Sequence, residues 1–469
     1  MKDIRYKKIE VDSENPFEDC KLDRKKYADN LTQIITNYPT GFVLALNNRW
    51  GDGKTFFIDR WKTQLKNQEF QTIYYNAWED DYSGNALISI LAELKEDIVA
   101  LDKKLFDNVI TKGTAFITGL TPKVMKLVAK KVVGEDGFDE IAEYVGEQFG
   151  KPLNKLIDDY TKQKQTVSEF KIALEAFASA SGNGKPIVFF IDELDRCKPS
   201  YAVEVLEIIK HLFAVDNIVF VLGIDKNQLS NSIRGYYGSD KIDGNEYLKR
   251  FIDMEISLPK PKLNTFFEYI YKKLEFEKSL QGDRIRFTEL QYDNQSFVTF
   301  SNIFFEEKDL NLRLIQRIMT QVRVVMYAFD SNQYMIPSVL LLLIYLKSEL
   351  EIDYQMIKNK NFTLDEILAL NKKLSAVRFN LNNGELPNII NLNEYYLYAL
   401  YANYIGERLD YNGIKEPKEQ FVAKYKTHSF DSGRLYELLT MSRREAREKE
   451  ISLDYLFTKI ELSQNLSFN

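Results

Sequence analysis

Apolar residues in this chain follow two patterns, and the alternation between them predicts an α/β fold. Short, mostly apolar runs at 42–46 (FVLAL), 72–76 (TIYYN), 187–191 (IVFFI), 218–224 (IVFVLGI) and 254–258 (MEISL) read as strands, the most apolar of them buried on both faces. Between them, apolar positions recur at helical spacing, as Tyr27, Leu31, Ile34 and Ile35 in 23–36 and as Leu87, Ile90, Leu91, Leu94 and Ile98 in 86–99. The first of these helices stops near Pro39, and a further helix, 56–65, follows the first strand. Helices placed between strands predict a mainly parallel sheet flanked by helices.

The pattern changes after Pro259-Lys260-Pro261, a sequence that breaks the chain and marks a boundary. Beyond it only helical spacing remains, from Phe266, Phe267, Ile270 and Leu274 through 310–323. The apolar run 339–346, just after Pro337, falls well short of the roughly 20 residues that span a bilayer and suits a buried helix. These shifts predict three parts: a core at 1–260 with a helical insertion at about 101–180, a helical segment at 261–335, and a helical C-terminal domain at 336–469.

Two stretches have more than one reading. After Pro122, Lys123, Lys126, Lys130 and Lys131 share an amphipathic helix with Val124, Leu127, Val128 and Val132. Such a helix either packs on the core or lies on an anionic membrane surface, a peripheral contact near 122–133. Tyr395, Tyr396, Tyr398, Tyr401 and Tyr404 crowd one segment, where aromatic rings fill a core or present a partner-binding or base-stacking surface.

Composition narrows the classes. The chain has 469 residues, 45% hydrophobic and 28% charged, which is ample material for a core. Its 63 basic and 69 acidic residues leave a formal charge of −6, so no global basic field drives nucleic-acid binding, although a local patch is compatible with it. Cys20 and Cys197 cannot build a disulfide framework, and with His211 and His428 they do not make a zinc site. The N-terminus lacks the apolar stretch of a signal peptide, and the expected location is the cytoplasm.

The chemistry concentrates at two places. Residues 48–55, NRWGDGKT, follow the first strand where it would turn into a helix. That is the layout of a phosphate loop, whose backbone amides cradle phosphates while a lysine reaches the β and γ phosphates and a hydroxyl holds Mg²⁺. Lys54 and Thr55 are those two groups, and Asn48, Arg49, Trp50, Gly51, Asp52, Gly53 and Phe56 complete the expected nucleotide contact. Asn48 stands where the usual pattern has its first glycine. Asparagine is the non-glycine residue that best tolerates a positive φ, so closure of the loop through that conformation is expected to remain open to it.

The second place is Asp192-Glu193, at the end of the strand 187–191. A nucleotide hydrolase needs one carboxylate for the metal and another to activate water, roles expected of Asp192 and Glu193 respectively. Either motif alone has a plain reading, a chance turn or a solvated loop start. Found in the right order and about 140 residues apart, they support each other and imply ATP and Mg²⁺.

These residues resemble the KAP group of P-loop NTPases, within the wider STAND and AAA+-like assemblage. The likeness rests on Trp50-Gly51-Asp52-Gly53-Lys54-Thr55, on Asn76-Ala77-Trp78, and on Asp192-Glu193-Leu194-Asp195-Arg196-Cys197 with Pro199 and the helix 204–210. It extends to the strand 218–224 with Asp225 at its tip and to Tyr247-Leu248-Lys249-Arg250-Phe251. Asn48 departs from the family pattern, Glu193 replaces a second aspartate, and the hydrophobic insertion of many members is missing.

The resemblance implies a P-loop core with a helical lid at 261–335. It implies ATP hydrolysis driving a conformational or assembly switch, and company with bacterial proteins of phage exclusion and defence, as a homo-oligomer or with other defence-system proteins. Arg250 occupies the place of a trans-acting finger, with Arg234 as a rival. Arg313, followed one turn later by Arg317, matches a lid arginine. Other readings are a nucleotide-dependent scaffold with little turnover and a nucleic-acid motor.

Overall fold

A computed structural model describes residues 10–97, 103–119, 153–282, 293–374, 397–406, 419 and 452–465, apart from 39, 183, 213–214, 261, 309, 332, 334, 399 and 403. The basic helix expected at 122–133 lies outside the described residues, as do Tyr395 and Tyr396. The chain divides into two compact units, with the break between Lys260 and Pro261.

The first unit is organised by five strands, β1 (Phe42–Asn47), β2 (Thr72–Asn76), β3 (Ile187–Asp192), β4 (Ile218–Ile224) and β5 (Met254–Ile256). They pair in the order β2-β3-β4-β1-β5, and every pairing is parallel. Parallel neighbours need crossovers, which the intervening helices supply. The register sets Asn47 beside Ile224, Gly223 beside Asp192, and Asp192 beside Asn76, so four strand ends lie at one edge. β3 and β4 are buried at every residue, which is why both read as unbroken apolar runs.

β5 is shorter than the apolar pattern predicts, ending at Ile256 instead of 258. Past that point the backbone of Leu258 pairs with the side chain of Asn48 and no longer with a strand.

Alternate residues of β3 enter opposite cores. Val188 and Phe190 join Leu44, Leu46, Val219 and Val221 under α1 (Lys25–Asn37) and α2 (Lys54–Asn67). Ile187, Phe189 and Ile191 join Phe220, Leu222 and Ile224 under α3 (Ala86–Asp97), α4 (Lys103–Gly119), α5 (Leu153–Ser181), α6 (Pro199–Leu212) and α7 (Lys226–Tyr237). Helices α4 and α5 pack on each other and lie in the span read as an insertion. On the first face, Trp61 is fully buried; its ring meets Phe190 edge-on at 5.4 Å and its indole N–H donates to the Thr32 hydroxyl at 3.0 Å.

The second unit is helical in its described residues. Its centre is the helix Pro337–Glu349, buried from Pro337 to Leu346 because it is apolar on all sides. Residues of 261–335 and of 336–469 feed one apolar core, in which Phe267, Phe305 and Met319 join Leu341, Tyr354, Tyr401 and Ile460. Tyr401 is buried, and its hydroxyl donates to the Phe362 carbonyl at 2.7 Å, so this tyrosine serves packing.

Replacing Trp61 by alanine is expected to lower stability by about 3–5 kcal/mol, because the cavity opens between α2 and the sheet. Urea unfolding followed by far-ultraviolet circular dichroism measures it.

Candidate functional site

The end of β1 turns into α2 through a loop that only glycine makes easily. Gly51 and Gly53 have φ of 85° and 82°, and Gly53 sits at the cap of α2 in the left-handed region. A Cβ at position 53 would also come within 2.9 Å of the Arg24 guanidinium. The Asp52 N–H closes the turn on the Arg49 carbonyl at 3.2 Å, and the two side chains approach to 3.6 Å.

Asn48 does not adopt the positive φ expected of a glycine substitute. Its side-chain amide donates to the Leu258 carbonyl at 3.0 Å and accepts from the Leu258 N–H at 2.8 Å, while its own N–H donates to Ile224 at 3.1 Å. The position is used for these bonds and not for a left-handed turn.

Lys54, the first residue of α2, is 8% exposed. Its amine donates to the Asn48 carbonyl at 2.6 Å and the Arg49 carbonyl at 3.4 Å. Burial lowers its pKa, opposed by the fields of Asp195, Asp192, Asp225 and Asp52. Asp192 and Asp195 come from the end of β3 and the turn after it, and Asp225 from the end of β4, so those three fields reach Lys54 only in the folded sheet.

Asp192, at the tip of β3, is 1% exposed, and burial pushes its pKa up to about 6 against the pull of the neighbouring Thr55 hydroxyl. Its carboxylate accepts from the Glu193 N–H at 2.9 Å and from the Tyr74 hydroxyl at 3.4 Å. Room for it comes from Gly223 on β4, where an added Cβ would lie 2.5 Å from Asp192 Oδ1 and 2.7 Å from Ile58.

Glu193 adopts a left-handed conformation, φ 60°, that turns the chain sharply out of β3. Its carboxylate pairs with Arg196 at 2.8 Å. The Arg196 guanidinium lies 5.9 Å from the Trp50 ring centre and 5.5 Å from that of Trp78. The Trp50 indole N–H donates to Asp195, and the Trp50 backbone N–H donates to Asp225 at 3.3 Å. Asp225 caps α7 through Asn227 and Gln228, and burial raises Asp195.

The donor set suits a hard cation. Thr55 and Asp192 offer oxygen ligands side by side, and Mg²⁺ characteristically takes one or two protein oxygens and completes its shell with phosphate oxygens and water. No larger cluster of metal-binding side chains occurs among the described residues.

Other residues singled out from the sequence have different surroundings. Phe56 carries the Arg60 guanidinium over its ring at 3.2 Å. Arg250 is exposed, 5.8 Å from the Tyr247 ring centre, and makes no ion pair or hydrogen bond to the loop among the described residues. Arg234 donates to the Ile242 carbonyl at 3.2 Å and holds a turn. In the second unit, Arg313 is exposed near the start of the helix Leu312–Met326, and Arg317 approaches Glu349 at 3.6 Å.

Sequence reasoning assigned no role to Arg24, Gly223, Asp195 or Arg196. Arg24 carried a readable signal, an arginine in register with Tyr27, Ala28, Leu31 and Ile35 on the apolar stripe of α1. Gly223 carried none, since its constraint comes from Asp192 and Ile58 on other elements.

Residues 24–329 match the model of the KAP family P-loop domain. The Phage T7 exclusion protein of Escherichia coli (strain K12) is 21% identical over 249 residues, half of this chain, and the match spans 32% of that protein. Two solved structures align over most of the chain at low similarity. They are the Aeropyrum pernix ORC2 protein in ADPNP-ADP complexes (11% identity, 94% of each chain, TM-score 0.35) and Drosophila ORC bound to DNA (14%, 96% of this chain and 87% of that one, TM-score 0.28).

The raised pKa of Asp192 has a signed consequence. Between about pH 4 and pH 6 the folded, nucleotide-free protein keeps a proton that the unfolded chain releases, so Asp192 makes stability fall as pH rises through that window. Asp192→Asn removes the effect. Its stability relative to wild type is expected to improve by about 3 kcal/mol from pH 4 to pH 7, measured by urea unfolding in EDTA. A difference that does not change with pH would show that Asp192 is ionised throughout.

Proposed function

The chain belongs to the KAP family of P-loop domains, and from that premise we propose that it hydrolyses ATP with Mg²⁺ to drive a conformational or assembly switch in anti-phage defence. The observation that carries this reading is the convergence of Lys54, Thr55 and Asp192 at one sheet edge, with the Lys54 amine held, among the described residues, by loop carbonyls alone. An amine in that position is free to exchange those carbonyls for phosphate oxygens.

The steps follow from the side chains. Loop amides that make no bond within the protein among the described residues, those of Gly53 and Lys54, bind the phosphates, aided by the positive end of α2. Lys54 moves from the Asn48 and Arg49 carbonyls to the β and γ phosphates. Thr55 and Asp192 would hold Mg²⁺, which would supply neutralisation of the phosphate charge. Glu193 leaves Arg196 and takes the proton of the attacking water. Arg250 from a neighbouring subunit and Arg313 from the lid are proposed to stabilise charge on the γ phosphate.

The defence role rests on likeness to the exclusion protein, of which the match spans 32%. A cytoplasmic homo-oligomer, or a complex with other defence proteins, fits such a role. Among the described residues no helix is long and apolar enough to cross a membrane.

The Glu193–Arg196 pair supports a second reading, a nucleotide-dependent scaffold with little turnover, because the proposed base is engaged with a cation. Phosphate release from ATP separates the two. Under the first reading, Glu193→Gln lowers turnover by about 10²–10⁴-fold with ATP affinity kept, and Lys54→Ala removes binding measured by calorimetry. Wild-type turnover no faster than that of Glu193→Gln would leave the scaffold.

A further inference from the structure

Arg24, just before α1, is 1% exposed, yet no carboxylate among the described residues pairs with it. Its guanidinium instead forks onto two adjacent carbonyls of the phosphate loop, Nη1 to Gly53 at 2.9 Å and Nη2 to Asp52 at 2.7 Å. Its Nε is buried without a partner. A buried, unpaired cation is costly, and here burial holds the guanidinium pKa below its ordinary value.

Peptide planarity turns this contact into a statement about the loop. In a trans peptide the C=O and N–H point in opposite directions. Holding the Asp52 carbonyl therefore aims the Gly53 N–H away from Arg24, and holding the Gly53 carbonyl does the same for the Lys54 N–H. The Gly53 carbonyl also accepts the Phe57 N–H at 3.1 Å, so the second plane is fixed by helix and arginine together. Neither the Gly53 nor the Lys54 N–H donates to a protein acceptor among the described residues.

We propose that Arg24 is a positioning residue for an anion: its fork on the Asp52 and Gly53 carbonyls presents the Gly53 and Lys54 amides to a phosphate group, and its charge is balanced by that phosphate from behind the loop. This rests on the nucleotide reading above. The recognised chemistry is a di- or triphosphate, because the Gly53 and Lys54 amides and the Lys54 amine come from two consecutive residues and none of the three donates to a carboxylate among the described residues. Arginine suits this place because its rigid planar fork fixes the direction of both bonds at once, which the rotatable donors of a lysine ammonium do not.

The test is calorimetric binding of Mg-ADP and of pyrophosphate to wild type, Arg24→Lys and Arg24→Met, with each fold checked by circular dichroism. Loss of the fork is expected to weaken binding about 10-fold in Arg24→Lys and about 100-fold in Arg24→Met, the size of one or two charge-assisted hydrogen bonds. Because the contact serves bound ground state and transition state alike, KM for ATP rises while kcat stays within about threefold. A purely structural arginine would instead lower the folded fraction and leave the affinity of the folded fraction unchanged.

Either variant, folded and binding within about threefold of wild type, overturns the inference; if Arg24→Met does not fold, Arg24→Lys decides alone. Wild type that binds neither Mg-ADP nor pyrophosphate removes the nucleotide reading and this inference with it. Normal wild-type binding with undisturbed variants removes only the role of Arg24.

Discussion

One ammonium group among four carboxylates sets the terms for the first unit. Lys54 is buried within the fields of Asp195, Asp192, Asp225 and Asp52, and each partner is itself at least partly withdrawn from water. Burial disfavours the charge on both sides, lowering Lys54 and raising Asp192, Asp195 and Asp52. The groups are therefore tolerable together and costly apart. Deleting one partner leaves an uncompensated charge in a low-dielectric place, an error far larger than loss of a surface pair.

That arrangement depends on strand order. β4 lies between β1 and β3, and its register brings Gly223 beside Asp192 while Ile224 accepts the Asn48 N–H. The loop after β1 and the acidic turn after β3 are thus joined through a strand whose glycine leaves room for the carboxylate. Trp50 adds a second connection, from the loop to Asp195 and Asp225 at once.

Much of this was legible because burial writes itself into composition. Strands covered on both faces have no polar residue to spare, so 187–191 and 218–224 stood out as runs, and the helix Pro337–Glu349 was recognisable as buried from its apolar surface. The loop and the acidic turn were legible because their chemistry is local. The burial of Arg24 could be read from its place on the apolar stripe of α1, but its partners could not, nor could the roles of Asn48 and Gly223, since each is defined by a contact remote in the chain: 28 and 29 positions for Arg24, 210 for Asn48, and for Gly223 a clash that exists only after β3 has docked. The tyrosine cluster, whose first reading was a filled core and whose second was a partner surface, is packing at Tyr398 and Tyr401, and the Tyr401 hydroxyl is bonded to the Phe362 carbonyl.

The side chain of Asn48 imitates a peptide group. In the β1–β5 register Leu46 faces Ile256, so two residues on Asn48 faces Leu258, and its carboxamide both gives and receives the bonds that a backbone would make there. The ladder gains a rung built from a side chain. Aspartate would keep the shape and forfeit the donor, glutamine would overshoot by one methylene, and the glycine usual at this place would leave the Leu258 amide and carbonyl unanswered. What looks like a lapse in the loop is a splint for the edge of the sheet.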